Sequence, residues 1–193
     1  MTRRAAPTVP RGGGRPTSPL AGLPRRDLTE AELSAVVVDV AADRELWSDL
    51  VRADPGKRVY VELHADEHVS VWLICWMDTH DTGFHDHDGS AGALTVVSGA
   101  LREERLRFGV PVGHTLRAGD GIAFAPSAIH RVSHARGAPA VSLHAYSPPL
   151  RSMGSYAVDG EGELRRLALG DDEELRPLSG GLRLSPEPAG RAG

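Results

Sequence analysis

The sequence predicts a mainly β protein, a jelly-roll β-barrel preceded by helices, and three observations carry that expectation. From Arg58 onward, short β-rich runs recur at 59–63, 69–77, 92–97, 101–108, 121–125 and 140–146. Turn formers separate them, among them Asp54-Pro55-Gly56, Asp88-Gly89-Ser90, Gly109 and Ala118-Gly119-Asp120-Gly121. Many short strands with such punctuation indicate an antiparallel sandwich or small barrel. Histidines at 85, 87 and 130 could then converge from different strands onto one interior face.

The elements follow in chain order. Residues 1–26 are rich in Pro, Gly and Arg, and such a stretch buries too little apolar area to offset its ordering entropy, so a flexible arm is expected. Thr29-Glu30-Ala31-Glu32 is a capping box, and the spacing of Leu33, Val36, Val37 and Val40 predicts a helix behind it. A second short helix is expected to carry Leu46, Trp47, Leu50 and Val51. The domain is taken as 27–176, and 177–193, with Pro186 and Pro188, as a flexible tail.

Composition narrows the function classes. The 193 residues carry a formal net charge of −4 with 25% charged residues, which gives no global attraction to nucleic acid or anionic membrane. Lone Cys75 allows no intrachain disulfide and no paired-cysteine zinc site. No apolar run approaches the ~20 residues that span a bilayer, and no hydrophobic segment follows Arg3-Arg4. A cytoplasmic protein is the expectation.

The chemistry concentrates in Phe84-His85-Asp86-His87. On a strand, His85 and His87 point to the same side, a natural claw for a divalent metal. A third imidazole, His130, would complete three ligands and leave the opposite face of the ion open, as catalytic sites require. Asp86 between them points the other way, which suits a structural role. Ser142, His144 and Tyr146 also alternate and so share a face. They could form a hydrogen-bonded relay or simply pack a strand. Five further histidines (His64, His68, His80, His114, His134) fall near turns or strand ends, where solvation is the default.

These residues resemble known motifs. His85-x-His87 with Gly99 is similar to the first cupin motif, with Gly92 at its usual acidic position. Gly119, Pro126 and His130 resemble the second motif, one residue short between Pro and His, with His134 where Asn is common. Leu73-Ile74-Cys75-Trp76, His85-Asp86-His87, His130-Arg131-Val132 and 139–149 together resemble the cysteine dioxygenase family, over roughly 59–156. The resemblance implies an Fe(II) site on His85, His87 and His130, and a monomeric enzyme. It further implies a small thiol and O2 as substrates, with a sulfinate as product. It also implies that Ser142 orients His144, and that His144 orients the Tyr146 hydroxyl. Gly92 stands where some members have a cysteine joined to that tyrosine, so Tyr146 is expected to be uncrosslinked.

One departure bears on the substrate. The family's substrate-binding Arg lies in a Tyr-x-Arg segment, and the matching Tyr60-Val61-Glu62 places Glu62 there. Arg58, on the same strand face, could serve instead. Glu62 could be an exposed edge residue. Or the pocket could select a cationic thiol, of the cysteamine or ergothioneine kind, with Trp72 and Trp76 either adding cation–π attraction or packing the core. A non-catalytic module that binds metal or thiol is the alternative from another class, and a different oxidation of cysteine is a third.

Overall fold

Helix α1 (Glu30–Ala42) starts where the capping box places it: Glu32 N–H donates to Thr29 Oγ1 at 3.3 Å, and Thr29 N–H donates to Glu32 Oε2 at 2.9 Å. In this computed structural model, which describes residues 18–107, 110–159, 161, 163–169 and 174–178, α1 lies against a β-sheet. Leu33, Val36, Val37 and Val40 form its buried stripe. The expected second helix is instead two 3₁₀ turns, 44–46 and 48–50. The Trp47 indole turns back to donate to the Val40 carbonyl at 3.1 Å, one of the orphan acceptors at the end of α1. Of the stretch expected to be a loose arm, Leu20 and Leu23 pack on the same core. Residues 1–17 and 179–193 lie outside the described residues.

The strands are β1 (Val59–Ala65), β2 (Ser70–Trp76), β3 (His85–Asp86), β4 (Ala91–Ser98), β5 (Ala100–Arg107), β6 (Val110–Arg117), β7 (Gly121–Phe124), β8 (His130–His134), β9 (Ala140–Ser147), β10 (Gly154–Val158) and β11 (Leu164–Ala168). They build two antiparallel sheets, in the orders β1-β2-β9-β4-β7 and β11-β10-β3-β8-β5-β6, and close into the jelly-roll barrel that the sequence predicts. Five of these strands, β3, β6, β8, β10 and β11, go beyond the six β-rich runs. β6 contains Pro111 and Gly113, and every residue of β11 is exposed, so neither shows strand patterning.

Alternation in the first sheet positions everything that follows. Val71, Leu73 and Cys75 of β2, and Val141, Leu143 and Ala145 of β9, face α1. The intervening Ile74 and Trp76 face the barrel interior, where they meet Leu94, Val96, Leu101, Leu116 and Val132. Every residue of β9 is buried, because the strand is central in its sheet and covered on both faces. Burying each large apolar side chain contributes roughly 1.5–3 kcal/mol. The same two-residue period turns Ser142, His144 and Tyr146 inward.

Candidate metal centre and its relay

Three imidazoles meet inside the barrel. His85 begins β3 and pairs in register with His130, which begins β8. His87 lies one residue beyond the end of β3, yet its ring reaches the same point. Ring centroids stand 4.9 Å (His85–His87), 4.7 Å (His85–His130) and 5.0 Å (His87–His130) apart. One nitrogen of each lies within 4.8 Å of the others, and all three residues are buried.

The hydrogen bonds fix which nitrogens are free. His85 Nδ1 lies 3.1 Å from the Gly83 carbonyl, an acceptor only, so the proton sits on Nδ1 and the Nε2 lone pair faces inward. His130 Nδ1 lies 3.3 Å from Glu103 Oε1 and donates to it in the same sense. Among the described residues, His87 has no hydrogen-bond partner for either ring nitrogen. An unpaired buried polar group costs about 1–3 kcal/mol, so a ring with two of them calls for a ligand. Burial also keeps the imidazoles neutral: the His85 pKa falls to about 4, and those of His87 and His130 lie well below 6.5. Neutral rings with inward lone pairs are what a divalent cation requires. The residues therefore fit a metal ion held by three imidazoles.

Glu103 is a buried partner of the histidine cluster that the motifs did not bring out. Its carboxylate is fully buried, accepts from Arg105 Nε at 2.6 Å, and supports His130 from behind. Such a carboxylate fixes the ring of a metal-ligating histidine and raises its basicity. The signal was the alternation of β5, where Leu101 and Glu103 share the inward face.

The relay residues are joined in a line. Trp76 Nε1 donates to Ser142 Oγ at 2.8 Å, Ser142 Oγ lies 2.8 Å from His144 Nε2, and His144 Nδ1 lies 3.2 Å from the Tyr146 hydroxyl. The tryptophan sets the direction. Indole can only donate, so Ser142 accepts from it; among the described residues His144 Nε2 is then the partner left for the buried Ser142 proton, and Ser142 donates to it. His144 then carries its proton on Nδ1 and donates to the Tyr146 oxygen, which leaves the phenolic proton for the cavity. Burial lowers the His144 pKa to about 3 and raises that of Tyr146 above its ordinary value, so both stay neutral.

Gly92 has a steric reason. A Cβ there would lie 2.2 Å from the Phe124 ring and 3.1 Å from Tyr146 Cδ1. Phe124 in turn stacks on His87, with centroids 4.7 Å apart.

A cavity of about 610 Å³ opens beside these groups, lined by His85, His130, His144 and Tyr146 and walled by Trp72 and Trp76. Tyr60 lines it as well, although the residue is 43% exposed. Glu62 does not: it is exposed, opposite Trp72 at the middle of β1. The charged group from this strand face that reaches the cavity is Arg58. Its side chain is buried, its Nε donates to the Tyr60 hydroxyl, its Nη2 donates to the Leu175 carbonyl, and its guanidinium sits 5.3 Å above the Trp76 ring. Leu175 and Glu174, from the C-terminal segment, complete that corner.

Asp86 faces away from the histidine cluster, as its position between His85 and His87 requires. It accepts from the Tyr156 hydroxyl at 2.6 Å and from Arg166 Nε and Nη2 at 2.6 and 3.0 Å. Burial pushes its carboxyl up, but these hydrogen bonds outweigh burial and hold it well below the usual carboxylate range. His80 is buried rather than solvated, and accepts from Met77 N–H at 3.0 Å. Cys75 is buried and unpaired. Among the described residues, no helix is long and apolar enough to cross a membrane.

The family model described as cysteine dioxygenase type I matches residues 17–158. Cysteine dioxygenase type 1 of Danio rerio is 32% identical over 100 residues, which are 45% of this chain and 49% of the relative. The match thus spans about half the length of that relative. Among solved structures, a Klebsiella pneumoniae protein with a double-stranded β-helix domain shares 17% identity at a TM-score of 0.49, covering 55% of this chain and 84% of its own. A Thermus thermophilus protein shares 20% at 0.47, covering 52% and 92%.

Proposed function

Because the chain belongs to the cysteine dioxygenase type I family, we propose that it is an iron-dependent thiol dioxygenase acting on a small thiol that also carries a carboxylate. The observation that supports this most is the shared cavity, which brings two imidazoles of the three-histidine cluster, His85 and His130, together with Tyr146 and a buried arginine onto one space. When bound, Fe(II) supplies the coupling of O2 to a thiolate, which ends with both oxygen atoms on sulfur as a sulfinate.

The chain's own residues do the rest. His85, His87 and His130 bring no negative charge, so a metal there keeps its full charge and favours an anionic sulfur ligand. Arg58 is the partner for the carboxylate, because a planar guanidinium pairs such a group bidentately. The Tyr60 hydroxyl and the Trp76 face hold the guanidinium in place. Trp76, Ser142 and His144 leave Tyr146 as a hydrogen-bond donor over the reacting atoms. The apolar walls of Trp72, Ile74 and Val132 lower the local dielectric, which strengthens each of these polar contacts. Glu62, exposed and outside the cavity lining, takes no part in this reading. A monomer in the cytoplasm, with its single cysteine reduced, belongs to the same proposal.

The test is oxygen uptake by Fe(II)-loaded protein offered L-cysteine, 3-mercaptopropionate, cysteamine and ergothioneine, with mass spectrometry of the products. Uptake with a carboxylate-bearing thiol and a product heavier by two oxygen atoms is expected. Uptake with cysteamine alone would remove Arg58 from substrate binding. Bound iron with no uptake from any thiol would make the protein a binding module.

A further inference from the structure

Glu174 and Leu175 line the cavity, yet they lie past residue 158, where the family match ends. Tight packing seats this short segment. Pro177 crosses Gly83, where a Cβ would lie 2.9 Å from Pro177 Cα and 3.0 Å from the Arg176 carbonyl. The Leu175 side chain is buried. Glu174 Oε1 accepts from the Arg58 backbone N–H at 3.1 Å and stands 3.3 Å from Arg58 Nε, while Oε2 accepts from Arg176 Nη2 at 2.8 Å. One carboxylate thus holds both the backbone and the side chain of Arg58.

A guanidinium is a flat fork with two edges on which a carboxylate can dock, Nε with Nη2 and Nη1 with Nη2. In Arg58 the first edge is filled by the chain itself. Nε donates to the Tyr60 hydroxyl and Nη2 to the Leu175 carbonyl, so two internal oxygens take the places of a carboxylate's pair. The Trp76 ring, 5.3 Å away, covers a face of the fork. Among the described residues, Nη1 and the second proton of Nη2 meet no acceptor, and together they make the other edge. Charge leaves that edge attractive to an anion. Lys57, Arg58 and Arg151 line the cavity, and among the described residues that line it Glu174 is the single carboxylate, its own charge shared with Arg176.

We propose that Glu174 and the Leu175 carbonyl are positioning groups for ligand recognition: with Tyr60 they clamp the inner edge of Arg58, so that the Nη1–Nη2 edge alone is offered to a ligand carboxylate. An arginine held in this way has little rotamer freedom left to lose on binding, and such preorganisation raises affinity. The proposal rests on the carboxylate-binding role of Arg58 given above and adds the element that aims it. Leu175 and Pro177 anchor the clamp through packing, and Glu174 closes it through charge and the Arg58 N–H.

The test compares two thiols that differ in one group and reads binding rather than turnover. Full-length protein loaded with Co(II) is titrated with 3-mercaptopropionate, which carries a carboxylate, and with 2-mercaptoethanol, which carries a hydroxyl there. Visible absorption follows binding to wild type, Glu174→Ala, Arg58→Met and the double variant. Glu174→Ala is expected to weaken 3-mercaptopropionate about tenfold and to leave 2-mercaptoethanol unchanged. In the Arg58→Met background the same change should have no further effect, because Glu174 acts through the guanidinium. An equal loss for both thiols, no loss, or a selective loss that persists without Arg58 would overturn the proposal while leaving Arg58 its role. If Arg58→Met bound both thiols as wild type does, Arg58 would be removed from carboxylate binding, and the clamp with it.

Discussion

Two walls of the same cavity use buried, neutral histidines for opposite ends. On the side formed by β3 and β8, His85 and His130 each engage Nδ1 alone, and His87, just past β3 and outside the cavity lining, has neither ring nitrogen engaged among the described residues. On the wall made by β9, His144 has both nitrogens engaged, one by Ser142 and one by Tyr146. Burial and charge state are alike; hydrogen-bond satisfaction differs. A histidine with a spare lone pair holds a ligand, and one with none holds its neighbours in line. The role of a buried imidazole can therefore be read from what its nitrogens lack.

The sharpest way to break that contrast is to remove one ring from each side. His87→Ala is expected to abolish stoichiometric iron binding, measured by metal analysis after desalting, and with it oxygen uptake. His144→Ala is expected to keep the iron while uptake falls by about 10²-fold or more. If both variants lost iron equally, the division between the walls would not hold. A smaller effect is expected from Glu103→Gln, which leaves His130 in place but weakens the group behind it. Metal affinity should fall about 10–100-fold in a competition titration with a chelator, with the fold unchanged by circular dichroism. No change in affinity would reduce Glu103 to a partner of Arg105.

Acid tests what the walls have in common. An unfolded imidazole takes up its proton near 6.5, whereas His85 in the fold does so near 4 and His144 near 3. Between those limits the unfolded chain binds more protons, so the stability of metal-free protein is full above pH 6.5 and falls as pH drops through the window. His144→Gln removes one such group. Its acid-unfolding midpoint, relative to its own stability at pH 7, should move down by about half a unit. An upward move would mean that His144 is not held neutral.

The alternation of apolar and polar residues in 140–146 was enough to place the relay, and two histidines a pleat apart were enough to place the metal claw. Period-two patterning survives folding because a slip of one residue would turn every side chain to the wrong face. The choice between Arg58 and Glu62 was of another kind. Arg58 just precedes β1 and Glu62 sits at its middle, two positions of the same parity, and alternation says nothing about which of them lies over a cavity. The C-terminal end of the domain posed the same difficulty more strongly, since Glu174 meets Arg58 across 116 positions. A contact that distant leaves no local pattern. Gly92 was legible as a missing side chain, but the ring that fills the space, Phe124, could be named only from the fold.

The two-residue strand that bears His85 shows how a metal claw can be anchored with very little backbone. A ladder of one or two pairs on each side is weak by itself. Asp86 compensates from the reverse face, tying the strand to Tyr156 and Arg166 of the outer hairpin, with Arg166 also reaching Asp88 at 3.2 Å. The claw and this ionic clasp sit back to back on one peptide, so the stiffness of the metal site is borrowed from the rim of the barrel. Damage to that rim, far from any reacting atom, should loosen the grip on the ion.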